Sequence, residues 1–352
     1  MSAAPELLRP AVTPEKKGVS AAGYPSLVAD VGGTNARFGW LAHAGAAVAD
    51  VQVLPVREHG SPLSAVQAYL ALQQARLTSA YQAPRRLAFA LATSVGGDRL
   101  ELTNAHWSFS RSELQQQLGL SSLLVLNDFE ALALSLPRLS AAQLRQWGGV
   151  GGLPGGQGAL AVIGPGTGLG VAGVLPSRHG WMALPGEGGH MTLSPADAFE
   201  SELLAHVRTE FAHVSAERLL SGIGLPVLHQ AVCVVSGVAG APVLTAEQIV
   251  ERGLSGADSV CERSLASFCA LLGGFAGNVA LALGARGGVY IGGGIVPRLG
   301  EYFFASQFRE RFEAKGRFRA YLQDIPVALI TDTLAALSGA ALALEQQDGD
   351  VL

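Results

Sequence analysis

The sequence predicts an α/β protein made of two related halves that face each other across a cleft. Three observations carry this expectation. Apolar runs of strand length alternate with stretches of helical periodicity. Glycine, at 45 of 352 residues, clusters between those runs, where tight turns are needed. A strand meander followed by a helix and a further strand opens near residue 26, and the same order returns in weaker form after residue 158. With 49% hydrophobic and 15% charged residues the chain can bury a large core, as two domains or one large α/β unit.

Residues 1–24 are rich in Pro, Ala and charge and are expected to form a disordered leader. Ser26-Leu-Val-Ala-Asp-Val31 reads as a strand. Gly32-Gly33 turns it into a second near 36–42, and a third fits 51–56, the three forming an antiparallel meander. A helix over 62–77 has Ser61 as cap and Pro62 as first residue. Strands at 86–92 and 99–103, a helix at 111–118, strand 122–126 and a helix at 128–136 follow. The glycine-rich stretch 148–158 reads as a surface loop, and strands at 159–164 and 170–175 enclose another glycine turn. Helices are then expected at 195–208, 215–221, 225–236, 245–253 and 257–284. Strand 288–292, helix 300–313, strand 325–330 and a helix near 334–346 complete the chain.

Several function classes are disfavoured. A net charge of −4 gives no broad basic surface for nucleic acid. Glu6, Arg9, Glu15, Lys16 and Lys17 interrupt the N-terminus before a secretory signal could form. Cys233, Cys261 and Cys269 form no CxxC pair, and on one helix Cys261 and Cys269 would stand about 12 Å apart, too far for a disulfide. They read as buried reduced thiols of a cytoplasmic protein. Residues 264–285 are uncharged and contain Gly273-x-x-x-Gly277, a pattern shared with membrane helix pairs. Asn278, the richness in Ala, Gly and Ser, and the lack of an aromatic belt favour a buried helix and no membrane.

Three glycine motifs stand at strand ends. Asp30-Val-Gly-Gly-Thr-Asn-Ala-Arg37 joins two strands by a tip with no side chains at Gly32 and Gly33, where N–H groups can approach phosphate oxygens. Asp30 can hold a hydrated Mg²⁺ there. An ordinary Gly-Gly hairpin is the plainer alternative. Gly164-Pro-Gly-Thr-Gly-Leu-Gly170 offers a second cradle, with the Thr167 hydroxyl as donor. It lacks the Gly-Lys-Ser/Thr of a Walker loop, and a strand, not a helix, follows it. Gly292-Gly-Gly-Ile-Val-Pro297 makes a flat surface for a planar base, or a simple strand-to-helix turn.

Polar constellations lie between these motifs. Asn127-Asp128 follows an apolar strand and precedes a helix, where α/β folds place reactive groups, although Asp128 could merely cap that helix. Glu187 and His190 lie in the loop Leu184-Pro-Gly-Glu-Gly-Gly-His190, with metal binding by His190 as the rival reading. Glu217-Arg218 is expected to open a helix, so Glu217 alone would read as a first-turn acid.

Together these motifs, with Leu126-Asn-Asp-Phe-Glu-Ala and Ser215-Ala-Glu-Arg-Leu-Leu-Ser-Gly, resemble bacterial glucokinases of the proteobacterial type. The resemblance runs in order from about residue 26 to the C-terminus, and Thr103-Asn104, Trp107 and Lys315-Gly-Arg-Phe fit it too. It implies the two-domain actin-like ATPase (ribonuclease H-like) fold with an interdomain cleft. It also implies a small domain of residues 25–137 with 333–352, a large one of 138–332, and a homodimer. Asn127, Asp128, Glu187, His190 and Glu217 match sugar-binding residues, and Asp128 matches the catalytic base. Ala29, Asp30, Val31, Gly32, Gly33 and Thr34 match the nucleotide phosphate loop, joined by Gly166, Thr167, Gly168, Gly293 and Gly294. The implied ligands are glucose, ATP and Mg²⁺. Two departures stand out: Ser94 where the family usually has Pro, at the sugar-pocket wall, and Thr333-Leu-Ala-Ala-Leu337 where it has an Asn-Pro-Gly-Leu-like turn, at the domain contact or adenine rim. Rival readings are a kinase of another hexose or an N-acyl hexosamine, a sugar-responsive regulator on the same fold, and a water-splitting ATPase of the Hsp70 sort.

Overall fold

The computed structural model describes residues 23–93, 95–102, 106–147, 158–238 and 240–347. The expectations for the leader and for the loop at 148–158 fall almost wholly outside the described residues, as do those for Ser94, Thr103 and Asn104.

In the first half, β1 (Ser26–Val31), β2 (Asn35–Leu41) and β3 (Ala49–Pro55) form the antiparallel meander. β4 (Arg86–Leu91) pairs parallel with β1. A small sheet of β5 (Arg99–Glu101) and β6 (Ser108–Ser110) intervenes, and β7 (Ser122–Asn127) then pairs parallel with β4. The order is β3-β2-β1-β4-β7. In the second half, β8 (Leu144–Trp147) is an edge strand, β9 (Leu160–Pro165), β10 (Leu169–Ser177) and β11 (Gly180–Gly186) form a meander, and β12 (Gly288–Ile291) and β13 (Val327–Ile330) extend it in parallel. Its order, β11-β10-β9-β12-β13-β8, repeats the plan of the first sheet with one antiparallel strand added.

The helices are α1 (Pro62–Leu77), α2 (Arg111–Gln117), α3 (Asp128–Ser135), α4 (Ala198–Val207), α5 (Leu225–Val235), α6 (Ala246–Leu254) and α7 (Ser259–Leu283). They continue with α8 (Ile295–Leu299), α9 (Glu301–Ala305), α10 (Phe308–Glu313), α11 (Arg319–Gln323) and α12 (Ala335–Gln347). β4 is buried on both faces, and its alternation shows how the layers differ. Leu87, Phe89 and Leu91 pack with Tyr69 of α1 and with Trp107. The small Ala88 packs with Leu337 and Ala340 of α12, and Ala90 with Ala131 of α3. α12 thus returns to the first sheet and crosses α3 so closely that a Cβ on Gly339 would lie 1.6 Å from the Ala131 carbonyl oxygen.

α7 is long and apolar enough to cross a membrane by length and composition alone, but 72% of its most apolar window is buried inside the molecule. Its Gly273 and Gly277 are used internally. A Cβ at either position would lie 2.2 or 2.5 Å from the carbonyl oxygens of Phe308 and Phe312, so both glycines let α10 settle onto α7. All three cysteines are free and buried.

Two expected helices are corrected. Residues 215–221 form overlapping turns: the Ala216 and Glu217 N–H groups bond outward to the Met191 and Gly189 carbonyls, and those of Arg218 and Leu219 bond three residues back, to Ser215 and Ala216. Glu217 is therefore not a first-turn acid. The helix expected over 300–313 is broken into α9 and α10 by Ser306, whose hydroxyl accepts from the Phe308 N–H and donates to the Phe303 carbonyl. β6, β8, β11, α8 and α11 were not expected. β8 is polar, as an edge strand can be, and β11 carries Pro185 near its end.

The α3–α12 crossing predicts a contrast between two helical glycines. Gly339→Ala should destabilise the protein by about 3 kcal/mol or more, because backbone must move apart. Gly274→Ala, with no atom within 4 Å of the added Cβ, should stabilise by about 0.5–1 kcal/mol. Denaturant titration of both variants checks this.

Candidate active site

β1, β4 and β7 run parallel in register, Asp30 level with Ala90 and Ala90 with Leu126. Asp30 and Asn127-Asp128 therefore emerge at one edge of the sheet. Asn127 is the cap of α3: its Oδ1 accepts from the N–H groups of Phe129 (2.9 Å) and Glu130 (3.4 Å), and its Nδ2 donates to the Thr93 carbonyl at 3.2 Å. The capping alternative for Asp128 is thereby corrected. Asp128 is the first helical residue, and its Oδ1 accepts from the Phe129 N–H at 2.9 Å.

Burial, and then the charges of Asp30 and Glu187, push the Asp128 carboxyl up to about 6, against the lowering effect of the Phe129 N–H. Burial also raises Asp30, while Arg37, facing it across the β1–β2 pair, draws it back through an ion pair of 3.2 Å. Three carboxylates thus share a region whose nearest cation is already engaged.

The second half supplies the opposite wall. Glu187 follows β11 and bridges to Val171. The turns at 215–223 carry Glu217, whose Oε2 accepts from the Leu169 N–H at 2.8 Å. His190 Nδ1 lies 4.0 Å from Glu217 Oε1 with its side chain 61% exposed. Asn127, Asp128, Glu187 and Glu217, with Gly32, Gly33 and Thr93, line one cleft of about 460 Å³. His190 stands at its rim instead of in its wall. The structure therefore brings together all five residues expected at the sugar site, four lining and one flanking.

The motif glycines divide into two kinds. Gly164 and Gly170 make room for the Phe129 ring, which would lie within 2.3 Å of a Cβ at either position, and Gly293 makes room for the Pro165 carbonyl. Gly166 and Gly294 have nothing within 4 Å of a Cβ, and Gly32 only the Asn35 carbonyl at 3.9 Å. None of these three has positive φ. Packing and backbone conformation give no reason for glycine there, whereas a ligand held close to the backbone does. The side chains of Ala29 and Val31 are fully buried in the first core, and of this hairpin Gly32 and Gly33 line the cleft. Thr167 lines the cleft beside Gly168.

A second cavity of about 460 Å³ adjoins the cleft through Gly166 and Thr167. Leu225, Ala246, Val250 and Ile295 give it apolar walls, and Glu247, Glu251 and Arg298 give it charged edges. No sequence signal marked those charged residues, because α6 and α8 meet only in three dimensions. Thr333, Ala335 and Ala336 line a different cavity, of about 450 Å³, with Asp30, Arg37 and Asp332. That cavity also includes Asp128 and Gly292, Gly293 and Gly294, and Gly294 is shared with the second cavity, so the departure at 333–337 adjoins the glycine triplet as well as the seam between the halves. Among the described residues, no three His, Cys, Asp or Glu side chains gather closely enough to bind a metal alone.

The raised pKa gives a stability prediction. The folded value of Asp128 lies above its unfolded one, 3.8. Its contribution to stability is therefore full below about pH 4 and is lost as pH rises through about 6. The ionised carboxylate costs at most roughly 3 kcal/mol. Asp128→Asn should melt higher than the native protein at about pH 8, and the gain should vanish below about pH 4. Melting curves across that range check it.

The chain is similar to known glucokinases in sequence and in fold. The family model described as glucokinase matches residues 27–347. The chain is 50% identical over 318 residues to a glucokinase of Chromobacterium violaceum, covering 90% of this chain and 88% of that one. The crystal structure of a glucokinase from an Antarctic psychrotroph superposes with a TM-score of 0.83 at 37% identity, covering 91% of this chain and 98% of that one. A ROK family glucokinase from Streptomyces griseus, solved with glucose and AMPPNP, shares the fold at a TM-score of 0.56 and 19% identity, covering 90% and 98%.

Proposed function

Because this chain belongs to the glucokinase family, we propose that Asp128 is the general base of its phosphoryl transfer. The protein is an ATP-dependent hexose kinase that phosphorylates the 6-hydroxyl of D-glucose, and its fold is the two-domain actin-like ATPase fold. The observation that carries the assignment of the base is a half-buried carboxylate, pushed up to about 6, in the wall of a cleft edged by both glycine hairpins. A base with a pKa near the working pH balances deprotonation against basicity.

In this reading Asn127, Glu187, His190 and Glu217 hold the sugar ring and set its 6-hydroxyl against Asp128. The hydroxyl oxygen attacks the γ-phosphoryl group in line, and its proton passes to an oxygen of the Asp128 carboxylate. The tips carrying Gly32, Gly33 and Thr34 and Gly166, Thr167 and Gly168 face the phosphates, and the nucleoside enters the second cavity beside Gly293 and Gly294. The three open glycines support this track. Mg²⁺ supplies charge neutralisation on the phosphates, and Asp30 is the residue that would hold it, through water. Positioning and charge stabilisation do most of the work. The Streptomyces griseus protein binds glucose and an ATP analogue together, which supports the same pair of ligands here. The same reading divides the chain into a small domain of residues 25–137 with 333–352 and a large domain of 138–332. It also makes the protein a cytoplasmic homodimer with no nucleic-acid or membrane partner.

Asp128→Asn keeps a side chain that can accept from the Phe129 N–H but cannot take the proton. Its kcat should fall by about 10²–10⁴-fold or more, with glucose binding changed far less. In the native protein kcat/KM should decline as pH falls below about 6, as the base protonates. A folded Asp128→Asn that binds glucose and turns over at near-native rate would remove the assignment.

Glu187→Ala and His190→Ala should each raise the KM for glucose more than that for ATP. The rim position of His190 makes its effect the smaller. Steady-state kinetics with each substrate varied in turn checks both.

A further inference from the structure

We infer that Glu217 is a strut shared by the sugar and nucleotide sites, and that position 168 is glycine in order to seat it. The inference rests on the proposed roles of Glu217 and of the hairpin at 166–168. It goes beyond them by moving Gly168 from the nucleotide's side of the cleft to the sugar's.

A Cβ on Gly168 would lie 2.5 Å from Glu217 Oε2 and 3.4 Å from its carboxyl carbon, closer at the oxygen than real side chains come. The backbone of Gly168 does not itself demand glycine, since it has no positive φ. Nearby Gly166 is open where Gly168 is filled, so the two glycines of one hairpin answer different needs. The oxygen that occupies the space at Gly168 also accepts from the Leu169 N–H at 2.8 Å. The other oxygen faces His190 at 4.0 Å.

The backbone around Glu217 is bonded to both sites. On the sugar side, the Glu217 N–H donates to the Gly189 carbonyl at 2.9 Å and the Ala216 N–H to the Met191 carbonyl at 2.8 Å. On the nucleotide side, the Gly222 N–H donates to the Gly166 carbonyl at 2.7 Å and the Ile223 N–H to that of Thr167 at 3.4 Å. One run of turns therefore links the loop of Glu187 and His190 to the tip of the second hairpin, and the Glu217 side chain closes the link. A sugar that engages Oε1 fixes the carboxylate whose Oε2 orders the hairpin. Linkage makes the effect reciprocal, so an ordered hairpin favours sugar binding. Gly168 is a positioning residue for the sugar site, acting through Glu217.

Two variants test this, with glucose and AMPPNP binding each measured alone by calorimetry and folding checked by melting. Gly168→Ala should weaken glucose binding tenfold or more and, by pushing Oε2 off the Leu169 N–H, weaken AMPPNP binding by a smaller factor. The opposite pattern would return Gly168 to the phosphates and overturn its seating role. Glu217→Ala removes the acceptor for the Leu169 N–H, so it should weaken AMPPNP binding at least threefold with no sugar present. It should also weaken glucose binding. Loss of glucose binding alone would overturn the shared strut while leaving the sugar-site reading intact. Unchanged glucose binding in Glu217→Ala would instead overturn the sugar-site reading on which the inference rests. Should Gly168→Ala fail to fold, the Glu217→Ala measurements decide the matter.

Discussion

The architecture of the cleft depends on how closely α3 approaches its neighbours. On one side α12 crosses it at Gly339, against the Ala131 carbonyl, where no larger residue fits. On the other, the Phe129 ring fills the space that side chains at 164 and 170 would take, which docks α3 into the second glycine hairpin. Both contacts are steric, and in both the partner is glycine. They carry the first residue of α3 to the seam between the two sheets, so the position of Asp128 follows from helix packing before any electrostatic effect is considered.

That placement has an electrostatic consequence. Parallel β1 and β7 put Asp30 and Asp128 at the same sheet edge, and β11 delivers Glu187 opposite. Among the described residues, the ion pair made by this group is that of Asp30 with Arg37. Burial raises Asp128 most, and the neighbouring charges of Asp30 and Glu187 raise it further. The property that destabilises the empty cleft is the one that makes Asp128 basic enough to accept a proton near neutral pH.

Much of the fold was legible because local and global signals agree. Ser61-Pro62 announced α1, and alternation with Gly-Gly announced the first meander. The site was legible wherever chemistry-bearing residues followed an apolar strand, as at Asn127-Asp128. What escaped depended on partners distant in sequence. The turns at 215–223 stand in a stretch that otherwise reads as mostly helical. The N–H groups of Ala216, Glu217 and Gly222 go to the carbonyls of Met191, Gly189 and Gly166, which no local pattern shows. The helix over 300–313 failed for a local reason, the hydroxyl of Ser306 competing with the backbone. Glu247, Glu251 and Arg298 could not be found at all, since each looks like an ordinary surface charge until α6 and α8 are brought together.

The glycines sharpen this point. In the sequence, Gly164, Gly166, Gly168 and Gly170 form one alternating motif that reads as a single phosphate cradle. In space they serve three ends: 164 and 170 receive an aromatic ring, 168 a carboxylate, and 166 nothing that belongs to the protein. A motif kept for one ligand would need glycine only where that ligand passes. Here most of its glycines answer contacts from α3 and from the turn of Glu217, elements that hold the proposed base and a proposed sugar-binding carboxylate. The hairpin is therefore the junction through which the proposed base, sugar ligands and nucleotide track would share one geometry. A substitution in it should be interpreted by the atom its side chain would meet, not by the motif to which it belongs.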